Sequence, residues 1–138
     1  MTGLRRKSRI LVLKILYEID CSRHTAEDVL IRILPDLDLP TQAIDFAREL
    51  IQGVLRYQQD IDGQIVHFAP LFPLDQISII DRNILRMALY EIMFNDQIPV
   101  KAAINEAIEI AKEYGSDGSP KFINGVLGSV IASKNRTP

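Results

Sequence analysis

Apolar residues recur at helical spacing along most of the chain, most plainly at Ile77, Ile80, Ile84, Leu85, Ala88, Leu89 and Ile92, which share one stripe. Turn signals interrupt the pattern at intervals too long for a sheet of short strands. The spacing predicts an all-α protein of about seven helices. The first spans about Leu4 to Asp20 and is apolar on most of its circumference after Arg9, which predicts a central position. Thr25 is a cap for a short second helix, Glu27 to Leu34, ended by Pro35 and the Asp-Leu-Asp-Leu-Pro40 stretch. Thr41 is the next cap, for a helix reaching about Gln58 in which Gly53 marks a close helix crossing. A fourth, from about Asp60 to Phe68, stops ahead of Pro70 because the residue before a proline avoids the helical region, and Pro73 closes the connection. The fifth covers Gln76 to Asn95, with a break expected near Ser78 or Asp81. The sixth starts near Pro99 and runs to Tyr114, where Gly115 reads as a left-handed terminator. Glu106, Glu109 and Glu113 line its outer side and, with no facing ligands, read as a solvated face.

A chain of 138 residues is the size of one domain, so residues 1–138 are expected to share a single core. Apolar residues at 47% and charged residues at 25% exclude wholesale disorder. Cys21 is the only cysteine and His24 and His67 the only histidines, so neither an internal disulfide nor a Cys/His metal site can be built. Cys21 and His24 are three apart but fall where a helix gives way to a Ser-Arg-His-Thr connection, a poor place for a nucleophile and its base. No phosphate-loop signature appears, so no enzyme and no cofactor are expected. The basic-then-apolar start resembles a signal peptide, yet Lys14 interrupts the apolar run, Glu18 and Asp20 follow it, and no small-residue cleavage site appears. No stretch is long enough to span a membrane, and a cytoplasmic protein is the expectation.

Charge is distributed unevenly. Arg5, Arg6, Lys7 and Arg9 stand in the first nine residues of a chain whose net charge is −2; setting those four aside leaves twelve cations against eighteen acids, a balance of −6. Cations at a helix start oppose the helix dipole by roughly 0.3 to 1 kcal/mol each, so the cluster points to a polyanion docking there rather than to folding. The alternative is a solvated basic tail.

The most specific local chemistry lies in Ser116-Asp-Gly-Ser119-Pro-Lys-Phe-Ile-Asn124. Ser119 and Pro120 suit a helix start, whose free N–H groups can hold a phosphate, with Lys121 beside them. At about 100° per residue, Ile123, Val126, Leu127, Val130 and Ile131 form the buried arc and Lys121 points nearly opposite. Phe122 falls at the edge between core and solvent, either as core padding or as a platform for an unpaired base. Asn124, on the other flank, suits a base edge or a local cap. Gly125-Val-Leu-Gly128 matches the phosphate-clamping GxxG only as text, since it sits inside a helix with apolar residues between.

Arg-Arg-Lys-Ser-Arg9 opening a Leu-Tyr17 helix, Ile84-Leu-Arg-Met-Ala-Leu-Tyr-Glu91, Pro99-Val-Lys-Ala-Ala-Ile-Asn-Glu-Ala-Ile-Glu-Ile-Ala-Lys112 and Lys121-Phe-Ile-Asn-Gly-Val-Leu127, in this order, resemble the bacterial transcription antitermination factor family NusB. The likeness covers nearly the whole chain and is strongest after Ile84. It implies two perpendicular three-helix subdomains around one core. It further implies a factor that pairs with ribosomal protein NusE, binds the single-stranded boxA element of nascent ribosomal RNA and helps RNA polymerase pass terminators as part of an antitermination complex. The RNA contacts it implies are Arg5, Arg6, Lys7, Arg9, Lys121 and Phe122, and the NusE-facing residues are Tyr17 and Asp81. Two positions depart from the family pattern: Lys7 replaces an arginine and loses its planar fork, and Gly118 stands where an acid is common. Two alternatives are a helical protein–protein module without RNA binding and the related domain type fused to RNA cytosine methyltransferases. A chain ending at Pro138 without a catalytic domain fits the stand-alone factor. The expected geometry brings the basic leading turn and the entrance of the last helix together on one RNA strand.

Overall fold

The computed structural model describes residues 2–135, and over these the backbone forms seven α-helices and no strand. They are α1 (Thr2–Cys21), α2 (Ala26–Ile33), α3 (Thr41–Arg56), α4 (Gln58–Phe68), α5 (Ile79–Phe94), α6 (Val100–Tyr114) and α7 (Ser119–Asn135). Short 3-10 turns, Leu34–Asp36 and Leu74–Gln76, follow α2 and precede α5.

The helix starts follow local chemistry. Thr25 Oγ1 accepts from the Asp28 N–H at 3.1 Å and Ser78 Oγ from the Asp81 N–H at 3.1 Å, so the break expected in the fifth segment falls at Ser78, where the 3-10 turn ends and a capped helix begins. Thr41 is instead the first residue of α3; extended Pro40 precedes it and supplies no side-chain cap. Ser119 likewise lies inside α7, and its hydroxyl turns back to accept from the Ser116 N–H at 2.9 Å, closing the loop from α6 instead of capping the helix. Gly115 is extended at φ −89°, not left-handed. Glycine is required there for room: an added Cβ would lie 2.5 Å from Ser119 Oγ and 2.8 Å from the Ala111 carbonyl oxygen.

Packing centres on α5, which contacts α1, α3, α4, α6 and α7. From Asn83 to Glu91 every one of its residues is buried. The expectation of a central α1 is thereby corrected. That helix packs on α2, α3 and α5 but leaves Lys7, Lys14, Tyr17 and Cys21 exposed, all on one side at 100° per residue. One continuous apolar cluster includes Val12, Ile51, Ile61, Leu85, Ile110 and Ile123, and so draws on α1, α3, α4, α5, α6 and α7 together. Gly53 of α3 does mark a close crossing, since a Cβ there would fall within the Tyr90 ring of α5. Beside it the Tyr57 and Phe94 rings stack at 4.0 Å and 9°.

Candidate nucleic-acid interface

The basic start of α1 is divided by the fold. Arg9 is 4% exposed and donates from Nε and Nη2 to Glu91 of α5 at 3.1 and 2.9 Å, and from Nη1 to Glu106 of α6 at 3.5 Å. Burial pushes the Glu91 carboxyl up, while the Arg9 guanidinium pulls it down less strongly. Arg6 donates from Nε and Nη2 to the two Glu106 oxygens at 3.1 and 2.5 Å, but its side chain remains 39% exposed, with Nη1 outside this fork. The Arg5 and Arg9 guanidinium carbons each lie 5.3 Å from the centre of the Phe46 ring on α3. Arg5 and Lys7 are exposed, and neither makes an ion pair among the described residues.

Two expectations are corrected here. Arg9 serves folding and presents no open donor face to a phosphate, so the cluster is not explained by a docked polyanion alone. Glu106 is not part of a solvated face; it is buried and bonded to two arginines, whereas Glu109 pairs with Lys112 at 2.8 Å and Glu113 is exposed. The signal for Glu106 was present in its spacing, since Ala103, Ala107 and Ile110 flank it on the inward face of α6.

At the other end, Lys121 is exposed without an ion pair, and Phe122 is half-buried. The Phe122 ring packs against the apolar core and also meets the Phe72 ring edge to face at 5.1 Å. It is neither sealed in nor fully open. Phe122 and Lys121 line a groove of about 510 Å³ between α7 and the 69–72 connection. Asn124 is exposed on the far flank of α7, with no hydrogen-bond partner among the described residues, and does not line this groove. Sequence reasoning missed Leu71 and Phe72, which it treated only as spacer between Pro70 and Pro73. Their signal was two large apolar residues held between prolines, outside any periodic segment.

Arg6 meets Glu106, and Lys14 Nζ lies 5.9 Å from the Tyr114 ring, so α1 and α6 run alongside each other in the same direction. Nine residues at 1.5 Å each separate Glu106 from Gly115, so the loop into α7 lies about 14 Å along α6 from the Arg6 contact. The basic turn and the α7 entrance are therefore spaced along α6, with Lys14 beside Tyr114 at the α7 end.

A second groove, of about 410 Å³, is lined by Lys14, Tyr17, Cys21, Ile80 and Tyr114. Tyr17 is 43% exposed there. Asp81 is not part of its lining: it is 8% exposed, in the first turn of α5, with Oδ1 lacking a hydrogen-bond partner. Among the described residues no cluster of His, Cys, Asp or Glu could hold a metal ion, and no helix is long and apolar enough to cross a membrane.

Residues 6–132 match the model of the NusB family. The transcription antitermination protein NusB of Dehalococcoides mccartyi (strain CBDB1) is 46% identical over 130 residues, covering 94% of this chain and 91% of that protein. The protein of the same name from Roseiflexus sp. (strain RS-1) is 41% identical over 134 residues, covering 96% and 94%. Among solved structures, T. maritima NusB matches with a TM-score of 0.84 at 37% identity, over 97% of this chain and 93% of that one. A chain from the crystal structure of the antitermination factors NusB and NusE in complex with dsRNA matches with a TM-score of 0.86 over 96% and 99%; at 21% identity this is a likeness of fold.

Proposed function

This chain belongs to the NusB family, and we propose that it is a non-catalytic transcription antitermination factor that pairs with ribosomal protein NusE on the single-stranded boxA element of nascent ribosomal RNA. It would act in the cytoplasm as part of the RNA polymerase antitermination complex. The observation that carries the reading is the end-to-end match to curated antitermination proteins at above 40% identity. The surface chemistry agrees with it. Arg5, Arg6 and Lys7 offer cations to phosphates at one end of a track, Lys121 offers another, and Phe122 supplies a flat apolar face for a base. Arg9 is a positioning residue in this scheme, holding the turn through Glu91. Asn124 is assigned to a base edge on a nucleotide beyond Phe122. Tyr17 presents the protein-facing surface for NusE, and Asp81 supports it from the first turn of α5.

Neutralising three or four phosphates gives a log-log salt slope of roughly −2 to −3 on a single strand. A short basic patch gives modest affinity alone, so a partner that adds RNA-binding surface raises it. The experiment is RNA affinity with and without the cognate NusE, for a boxA-like strand against a scrambled one. The expected result is a preference for the boxA-like strand that strengthens with NusE. No binding to either strand in the presence of NusE would remove the RNA claim, and no NusE complex by calorimetry at micromolar concentrations would remove the partner claim.

A further inference from the structure

We infer that Glu106 is a positioning residue for RNA: by gripping the Arg6 guanidinium it fixes the direction of the donor that the strand meets, and so governs which strand is preferred more than how tightly any strand binds. The inference rests on the RNA-binding reading and names the residue that sets the geometry of one of its phosphate contacts. Two arginines of α1 converge on this one carboxylate of α6. Arg6 donates from Nε to Oε1 at 3.1 Å and from Nη2 to Oε2 at 2.5 Å, and Arg9 donates from Nη1 to Oε1 at 3.5 Å. Arg9 is bound in turn to Glu91 of α5 at 2.9 Å. The four side chains form a line from the core to the surface, beginning at Glu91, 2% exposed, and ending at Arg6, 39% exposed.

An ordinary surface ion pair would carry no such role, because two exposed side chains hold each other only weakly. Here the carboxylate is largely buried, a second arginine shares one of its oxygens, and the contact to Arg6 is a two-point fork. Arg6 is left with one open edge, at Nη1. Contacts to phosphates carry no sequence information of their own but set the register of a strand on the protein. A donor of fixed direction therefore decides which phosphate is seated at the basic turn, and with it which base arrives further along the strand at Phe122. Charge supplies the second part of the argument. Arg5 and Lys7 are exposed without an ion pair and attract any polyanion, whereas the Arg6 cation is offset by Glu106 and adds less to that general attraction. Arg6 thus contributes direction where its neighbours contribute charge.

Glu106→Gln keeps the shape and one acceptor oxygen while removing the charge, and Arg9 retains Glu91 as its partner. Arg6→Lys keeps the cation on a partly exposed side chain but replaces the planar fork with a point charge. Affinities of the NusE complex for a boxA-like strand and a scrambled one are measured across a salt series. Glu106→Gln should narrow the preference between the strands at least about 2-fold, the lower end of coupling within one side-chain network. It should also steepen the log-log salt slope by up to about 0.7, the value of one further phosphate contact on a single strand. Arg6→Lys should narrow the preference with the slope unchanged. In an Arg6→Ala background, Glu106→Gln should alter neither quantity, because Glu106 acts through Arg6. An equal loss on both strands with an unchanged slope, or the same effect in the absence of Arg6, would reduce Glu106 to a folding residue and overturn the inference. The unaltered protein's preference persisting in both single variants would overturn it as well, and if Glu106→Gln did not fold, an unchanged preference in Arg6→Lys would suffice. Absence of RNA binding, or of any preference, in the unaltered complex would instead strike the parent reading.

Discussion

Arg9 carries its charge almost out of contact with water, between Glu91 and Glu106, and Lys7 two residues earlier carries the same charge on an exposed side chain. Their substitutions should therefore separate folding from binding. Arg9→Met leaves a buried carboxylate without its main partner and should cost about 3–5 kcal/mol, read from urea unfolding. Lys7→Ala should stay within about 0.5 kcal/mol of the parent in the same measurement, because an exposed side chain without partners is worth little to the fold. On RNA the order reverses: Lys7→Ala should make the salt slope shallower by about 0.7, the loss of one phosphate contact on a single strand. Glu91 gives a pH signature. Its folded pKa is raised, chiefly by burial, so the folded state binds its proton more readily than the unfolded state does. The sign follows by linkage: relative to Glu91→Gln, the parent protein should lose stability as pH rises from the ordinary carboxylate value through the raised folded value. Urea unfolding of both proteins between pH 4 and 7 checks this, and a difference that grows in favour of the parent over that window would mean that pairing with Arg9 outweighs burial.

Along the helices, the distinction between glycines that are needed for space and those that are not can be tested directly. Gly53→Ala drives a Cβ into the Tyr90 ring and should cost about 1–3 kcal/mol by forcing α3 and α5 apart. Gly128→Ala, on the exposed side of α7 with open space at its Cβ, should raise stability by about 0.5–1 kcal/mol. Melting temperatures of the two variants should move in opposite directions, and a neutral Gly53→Ala would mean that the crossing relaxes more easily than its packing implies. The close approach at Gly53 was legible because a lone glycine inside an otherwise strong helical period needs a reason. Gly115 was legible only as a helix end. Whether a terminal glycine turns left-handed or stays extended depends on what the following residues do, and here Ser119 folds its hydroxyl back to Ser116, which is a tertiary choice that spacing does not encode. The same limit explains the caps: Thr25 and Ser78 are followed at the third residue by a helical N–H they can reach, whereas Thr41 begins its helix behind an extended Pro40 and the Ser119 hydroxyl is engaged by the Ser116 N–H.

Across the molecule, the charge asymmetry that drew attention to the amino end proves to have two causes. Part of it is internal, because Arg6 and Arg9 reach about a hundred residues along the chain to Glu106, and Arg9 also reaches Glu91. Counting charges along a sequence cannot reveal such pairing; it needs the contact map. The remainder, Arg5, Lys7 and the exposed part of Arg6, faces outward, and Lys14 extends it towards the α7 entrance. The family motifs point to both ends of the proposed track but not to their separation, which is set by how α6 lies between them. That separation has a measurable consequence. About 14 Å of α6 lies between the Arg6 contact and the loop into α7, and a strand stacked at about 3.4 Å per nucleotide needs about four nucleotides to cross it. Adding one nucleotide at each end to engage the cations and Phe122 gives a minimum of about six. Affinity for boxA-like strands shortened one nucleotide at a time should therefore hold until about that length and then fall steeply. Below it, Phe122→Ala should cease to matter, since a strand anchored on the basic turn no longer reaches the ring. If strands of three nucleotides bound as tightly as full-length ones, or if Phe122→Ala weakened them equally, the two ends would be acting at one place and the track along α6 would be wrong.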